Sequence, residues 1–78
     1  MTEKEIQEKV IKLIANTLNI DEISIEDSQD NILEWDSMAY LSILACLEDE
    51  FGLVISQDNI NNFVSIKSII TEVKNATA

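Results

Sequence analysis

The chain has 78 residues, a net charge of −10, one cysteine, no proline and no histidine. A single domain spanning residues 1–78 is expected, with a modest core and no staple: Cys46 alone closes no disulfide, and no Cys/His cluster exists to hold zinc. Between Leu13 and Ile66 there is no Lys or Arg, yet that stretch holds eleven of the fifteen acids (Asp21, Glu22, Glu26, Asp27, Asp30, Glu34, Asp36, Glu48, Asp49, Glu50 and Asp58), which excludes nucleic acid and anionic membrane surfaces and favours basic protein partners.

Thr2 with Glu5 three residues on is a capping-box pattern, and a helix is expected to follow to about Thr17. Ile6, Val10, Leu13, Ile14 and Leu18 share one side of it; Glu3, Lys4, Glu8, Lys9 and Lys12 share the other. Met1 to Glu5 has no apolar export signal. Asn19 to Trp35 has no sustained helical period and reads as a long loop, pinned by Ile20, Ile23, Ile25, Ile32 and Leu33, with a short turn near Ser28.

A central helix is expected from about Ser37 to Phe51. Asp36 is its N-cap, Gly52 its C-terminal stop, and Leu41, Ile43, Leu44, Leu47 and Phe51 its apolar stripe. Its longest apolar run, Ile43 to Leu47, is far too short to span a bilayer, and a lone reduced cysteine fits the cytoplasm. Gly52 to Ile55 is extended but has no second strand to pair with. A short helix capped by Ser56 is expected over Gln57 to Asn62, anchored by Ile60 and Phe63. The last helix, capped by Ser65, is expected to run to about Asn75 with Ile66, Ile69, Ile70 and Val73 inward, and Ala76-Thr77-Ala78 to fray. Leu33, Leu41, Leu47, Phe51, Ile55, Ile60, Phe63, Ile66, Ile70 and Val73 read as core, with Cys46 as a small packing residue. Three longer helices plus one short one make a small all-α bundle.

No histidine or lysine base accompanies the serines, so a nucleophilic hydrolase is excluded and no catalytic residue is assigned. The acidic loop Asp21 to Glu34 fails the EF-hand pattern, lacking its sixth-position glycine and twelfth-position glutamate, so no metal site is assigned. Ser37 remains. It stands at the first turn of the central helix, beside free backbone N–H groups and the positive end of the helix dipole, where an attached anion is stabilised.

Asp36-Ser37-Met38 at the start of that helix, the acidic end Leu47-Glu48-Asp49-Glu50-Phe51, a short third helix and a final helix from Ser65 follow one order without a gap. In this the chain resembles the acyl carrier proteins, the family that includes peptidyl and aminoacyl carriers, over nearly its whole length. The resemblance implies a four-helix bundle of acyl-carrier type with a long first loop, itself no enzyme and a monomer. It implies that a phosphopantetheinyl transferase loads Ser37 with 4′-phosphopantetheine from coenzyme A, magnesium offsetting the charge. The arm's thiol then carries an acyl or aminoacyl group as a thioester between loading and condensing or transferring enzymes. It implies partner contacts at Asp36, Met38, Ala45, Glu48 and Asp49, the acids meeting basic docking surfaces. From the residues alone, Asp36 is also simply a cap, Met38 core, Ala45 helix filler, and Glu48 and Asp49 solvated charge. Asp36 further sets a negative charge beside the phosphate that Ser37 would bear.

Departures narrow the resemblance. Ala39, Ser42, Gln57 and Asn61 stand where fatty-acid carriers usually have acids, and Trp35 where they have a small residue. The pattern is closer to carriers of specialised pathways: polyketide, nonribosomal peptide, polysaccharide or aminoacyl transfer. Trp35 either pins the loop or meets a partner. The alternative to a carrier is an arm-free acidic interaction module with the same fold.

Overall fold

The structure, a computed structural model, describes residues 2–77. Three helices form in the expected order: α1 (Glu3–Leu18), α2 (Ser37–Phe51) and α3 (Ile66–Thr77), with a single 3₁₀ turn, Ile60–Asn62, before α3. No β-strand forms among the described residues.

α1 opens on the expected capping box: the Glu5 N–H donates to the Thr2 hydroxyl at 3.2 Å, and the Thr2 N–H donates back to the Glu5 carboxylate. It stops at Asn19, whose φ of 57° is left-handed, and the Ile20 N–H returns to the Ala15 carbonyl at 3.0 Å. α1 packs on both α2 and α3, and α3 holds the 3₁₀ turn. The buried positions recur at helical spacing: Ile6, Val10, Ile14 and Leu18 on α1, Ile43, Leu44 and Leu47 on α2, Ile66, Ile69, Ile70 and Val73 on α3. Ile23, Trp35, Leu53 and Phe63 add loop side chains to the same core, while Phe51, Ile55 and Ile60 pack half-buried at its margin. Cys46 is a half-buried packing residue whose sulfur lies 3.8 Å from the Thr17 hydroxyl, which itself donates to the Leu13 carbonyl at 2.8 Å.

Two expected core residues lie outside. Leu41 is 62% exposed because helical steps of about 100° set it about 120° round from Leu47, past the edge of the buried arc. Leu33 is 93% exposed; it sits in a turn closed by the Trp35 N–H on the Ile32 carbonyl, which sends Trp35 inward and leaves Leu33 out. The short helix is also shorter than expected. Gln57 to Asn59 form a turn instead, because the Asn59 side chain takes the Ser56 N–H at 2.8 Å and donates to the Val54 carbonyl at 3.0 Å. α3 continues past Asn75 to Thr77, whose hydroxyl donates to the Val73 carbonyl at 2.9 Å; Ala78 lies outside the described residues.

The long loop is tied down at its middle. Ser28 and Ser65 pair as an isolated antiparallel bridge, with the Gln29 N–H on the Val64 carbonyl at 2.8 Å and the Ile66 N–H on the Asp27 carbonyl at 3.1 Å. Asp27 also braces the turn through its carboxylate, which accepts the Ser24 N–H and the Asn31 amide, each at 2.8 Å. An exposed ion pair, Lys67 to Glu26 at 3.2 Å, lies beside the same tie. Loop and α3 are thereby fixed to one another, and the chain reaches Trp35 from an anchored point.

Candidate functional site

Asp36 leaves the loop in extended backbone, φ −90° and ψ −172°, and its carboxylate accepts the Ala39 N–H at 2.9 Å. Its carbonyl takes the Tyr40 N–H at 2.8 Å, the first bond of α2. The N–H groups of Ser37 and Met38 precede that bond and carry the positive end of the helix dipole. Ser37 is exposed at the first position of α2, and its hydroxyl makes no hydrogen bond to any described residue. A phosphodiester fits this position: the oxygen is free, the space outside is open, and two backbone donors stand beside it. The Asp36 charge, which the sequence sets against a phosphate, is turned onto the helix backbone instead.

Behind Ser37 the expected contact residues come together. Steps of 100° put Met38, Leu41, Ala45, Glu48 and Asp49 within an arc of about 100° on α2, and all five are exposed. Met38 is 79% exposed, which removes its core reading. Leu41 stands between Ala45 and Glu48 on this face. Unlike Met38, which also has a contact reading, it is assigned by the sequence pattern to the core alone, although its phase against Ile43 and Leu47 already marks it as outward.

The inward face of the same region is aromatic. Trp35, two residues before Ser37, is only 2% exposed, so it pins the loop rather than meeting a partner. Its indole N–H is buried and has no acceptor among the described residues, at a cost of about 1–3 kcal/mol. Tyr40, one turn into α2, donates its hydroxyl to the Ile60 carbonyl at 2.5 Å and joins α2 to the 3₁₀ turn. Burial pushes the Tyr40 phenol pKa above its ordinary value. Among the described residues no three His, Cys, Asp or Glu side chains converge as a metal site, despite the density of acids.

An exposed serine thus stands at the first position of a capped helix on a small acidic bundle. Residues 8–73 match the protein family described as Phosphopantetheine attachment site. The chain is 32% identical over 76 residues to the acyl carrier protein of Lactobacillus acidophilus, covering 95% of each chain. It is 28% identical over 72 residues to that of Petrotoga mobilis, covering 90% of this chain and 85% of the relative, and 28% identical to that of Nitratidesulfovibrio vulgaris, covering 90% and 95%. The chain belongs to the acyl carrier protein family. Proteins of this family are carriers, not enzymes, and their prosthetic group is covalent 4′-phosphopantetheine; a phosphopantetheinyl transferase and biosynthetic enzymes are their partners.

Proposed function

We propose that Ser37 is the attachment serine of a single carrier domain, residues 1–78, that holds an acyl or aminoacyl thioester and moves it between enzymes of a specialised cytoplasmic pathway. The observation that carries this reading is the free, exposed Ser37 hydroxyl at the first position of α2. In the loading step the Ser37 oxygen forms a bond to the phosphorus of coenzyme A's phosphopantetheine, adenosine bisphosphate leaves, and the hydroxyl proton passes to the transferase. Asp36 holds the helix start in place, and the Ser37 and Met38 N–H groups face the new phosphodiester.

Met38, Leu41 and Ala45 offer partners an apolar strip, and Glu48 and Asp49 offer them charge. Enzymes with basic docking surfaces match this face, and their approach is salt-sensitive. A specialised pathway, rather than housekeeping fatty-acid synthesis, is supported by Ala39, Ser42, Gln57 and Asn61 in place of acids and by Trp35 in place of a small residue.

The test is an intact-protein mass spectrum after incubation with coenzyme A, magnesium and a promiscuous phosphopantetheinyl transferase. One added phosphopantetheine is expected, with none on a folded Ser37→Ala. Addition that persists in Ser37→Ala would overturn the site, and no addition to the folded wild type would overturn the carrier reading.

A further inference from the structure

We infer that Trp35 and Tyr40 close the bundle interior to the cargo, so that this carrier holds short or polar acyl groups, aminoacyl groups among them, out in water. Long hydrocarbon chains find no shelter in it. The inference rests on Ser37 as the attachment point.

Asp36 and Ser37 are exposed, and the nearest fully buried side chain on either side of them along the chain is Trp35; the next, Ile43, is six residues on from Ser37. Trp35 is among the largest side chains that are fully buried. It keeps this place although its indole N–H has no acceptor among the described residues. A smaller apolar residue would carry no such penalty, so the position uses the indole for its volume.

The second closure is Tyr40. It lies one helical turn past Ser37, and its hydroxyl is bonded to the Ile60 carbonyl at 2.5 Å. Parting α2 from the 3₁₀ turn breaks that bond. In the same core, Ile43, Leu47, Ile66 and Ile69 are 0% exposed, so the packing around them leaves no void that would hold a water. A hydrocarbon chain would have to displace packed side chains to enter, and overfilling a close-packed core is destabilising. Burial rewards a cargo in proportion to its apolar area. A short acyl or charged aminoacyl group has little to gain inside and is carried without loss outside. A long chain has much to gain and no space inside the packed core in which to gain it.

The chain has one tryptophan, so indole emission reports on this position alone. The experiment loads the protein from acetyl- and octanoyl-coenzyme A with the same transferase and verifies each product by mass. Absence of the mass gain counts against the carrier reading on which the inference rests, an outcome distinct from any difference between the two cargoes. In the wild type, the two loaded forms are expected to melt together and to show the same indole emission. Their thioesters should react with hydroxylamine at rates within about twofold, each relative to its free pantetheine thioester, because neither cargo has a sheltered population. In a Trp35→Leu, Tyr40→Phe double variant the octanoyl form is expected to react at least about fivefold more slowly than the acetyl form, as space opens inside.

A wild-type octanoyl form that melts higher, shifts the indole emission or resists hydroxylamine would overturn the inference. A folded double variant with equal rates would overturn the assignment to these two residues. Should the double variant not fold, Tyr40→Phe alone keeps the core volume, and the wild-type comparison decides the cargo class by itself.

Discussion

The start and stop of α2 each depend on one residue. The Asp36 carboxylate takes an N–H that no helix carbonyl can reach, and Asp36→Ala is expected to cost about 1 kcal/mol. In a domain of this size that lowers the melting temperature by about 4–8 °C. Asp36→Asn keeps a capping oxygen and should melt close to wild type, so any loss of loading in Asp36→Asn isolates the role of the charge. An Asp36→Ala variant that melts with the wild type would show that the bond does not hold the helix. Gly52 ends α2 at a φ of +64°, and a methyl group there would meet no atom within 4 Å. The cost of Gly52→Ala is therefore backbone strain alone, about 1 kcal/mol. A urea melt should show a lower midpoint with an unchanged slope; a changed slope would mean that the substitution altered more than this one dihedral.

At the scale of elements, the helices are legible in the sequence because each is specified locally. The capping box at Thr2, the Asp36 cap, the Gly52 stop and the apolar spacing lie within the segments they define, and the α2 bounds match residue for residue. That Ser37, Met38, Ala45, Glu48 and Asp49 lie together and exposed is legible for the same reason, since one helix carries them. Leu41 misleads because its three-residue spacing to Leu44 suggests the core stripe, whereas its phase against Leu47 sets it outside. In the loop the anchors Ile20, Ile23, Ile25 and Ile32 are legible and pack on the core, but the pairing is not. Nothing local announces that Ser28 pairs with Ser65, or that Trp35 turns inward while Leu33 turns out; those are tertiary facts. The loop's brace can be tested directly. The Ser24 N–H and then the Asn31 amide hold the Asp27 carboxyl below its ordinary pKa of 3.8. A folded value below the unfolded one means that the carboxylate's contribution is complete above the unfolded value and is lost as pH falls through the folded one. Carbon NMR should show Asp27 titrating below 3.8, with the Ser24 amide shift following the same midpoint. In Asp27→Ala the amides of Gln29 and Ile66 should exchange faster while those of α1 do not. Unchanged exchange at Gln29 would show that the backbone bridge holds the loop without the side chain.

For the whole molecule, the dominant field is self-repulsion. The described residues contain two ion pairs, Lys67 with Glu26 and Lys74 with Glu3, at 3.2 and 3.1 Å and well exposed, and pairs of that kind stabilise little. They leave a net charge of −10 almost unrelieved, with every lysine outside the stretch from Leu13 to Ile66. The molecule measures 31 × 28 × 19 Å. At 0.01 M salt the screening length is about 30 Å and every acid feels every other; at 1 M it is about 3 Å and only neighbours interact. Sodium chloride over that range should therefore raise the melting temperature, by about 4–8 °C for each kcal/mol of repulsion removed. Magnesium and calcium should act at lower concentration through their valence. No convergent ligand set exists among the described residues, so the rise should be graded and alike for the two ions. A rise that saturates with one ion at a fixed stoichiometry, and not with the other, would reveal a built cation site and refute simple screening. A flat response to every salt would show that the acids lie too far apart in solution to oppose folding, and the same acids would then be free to serve docking alone.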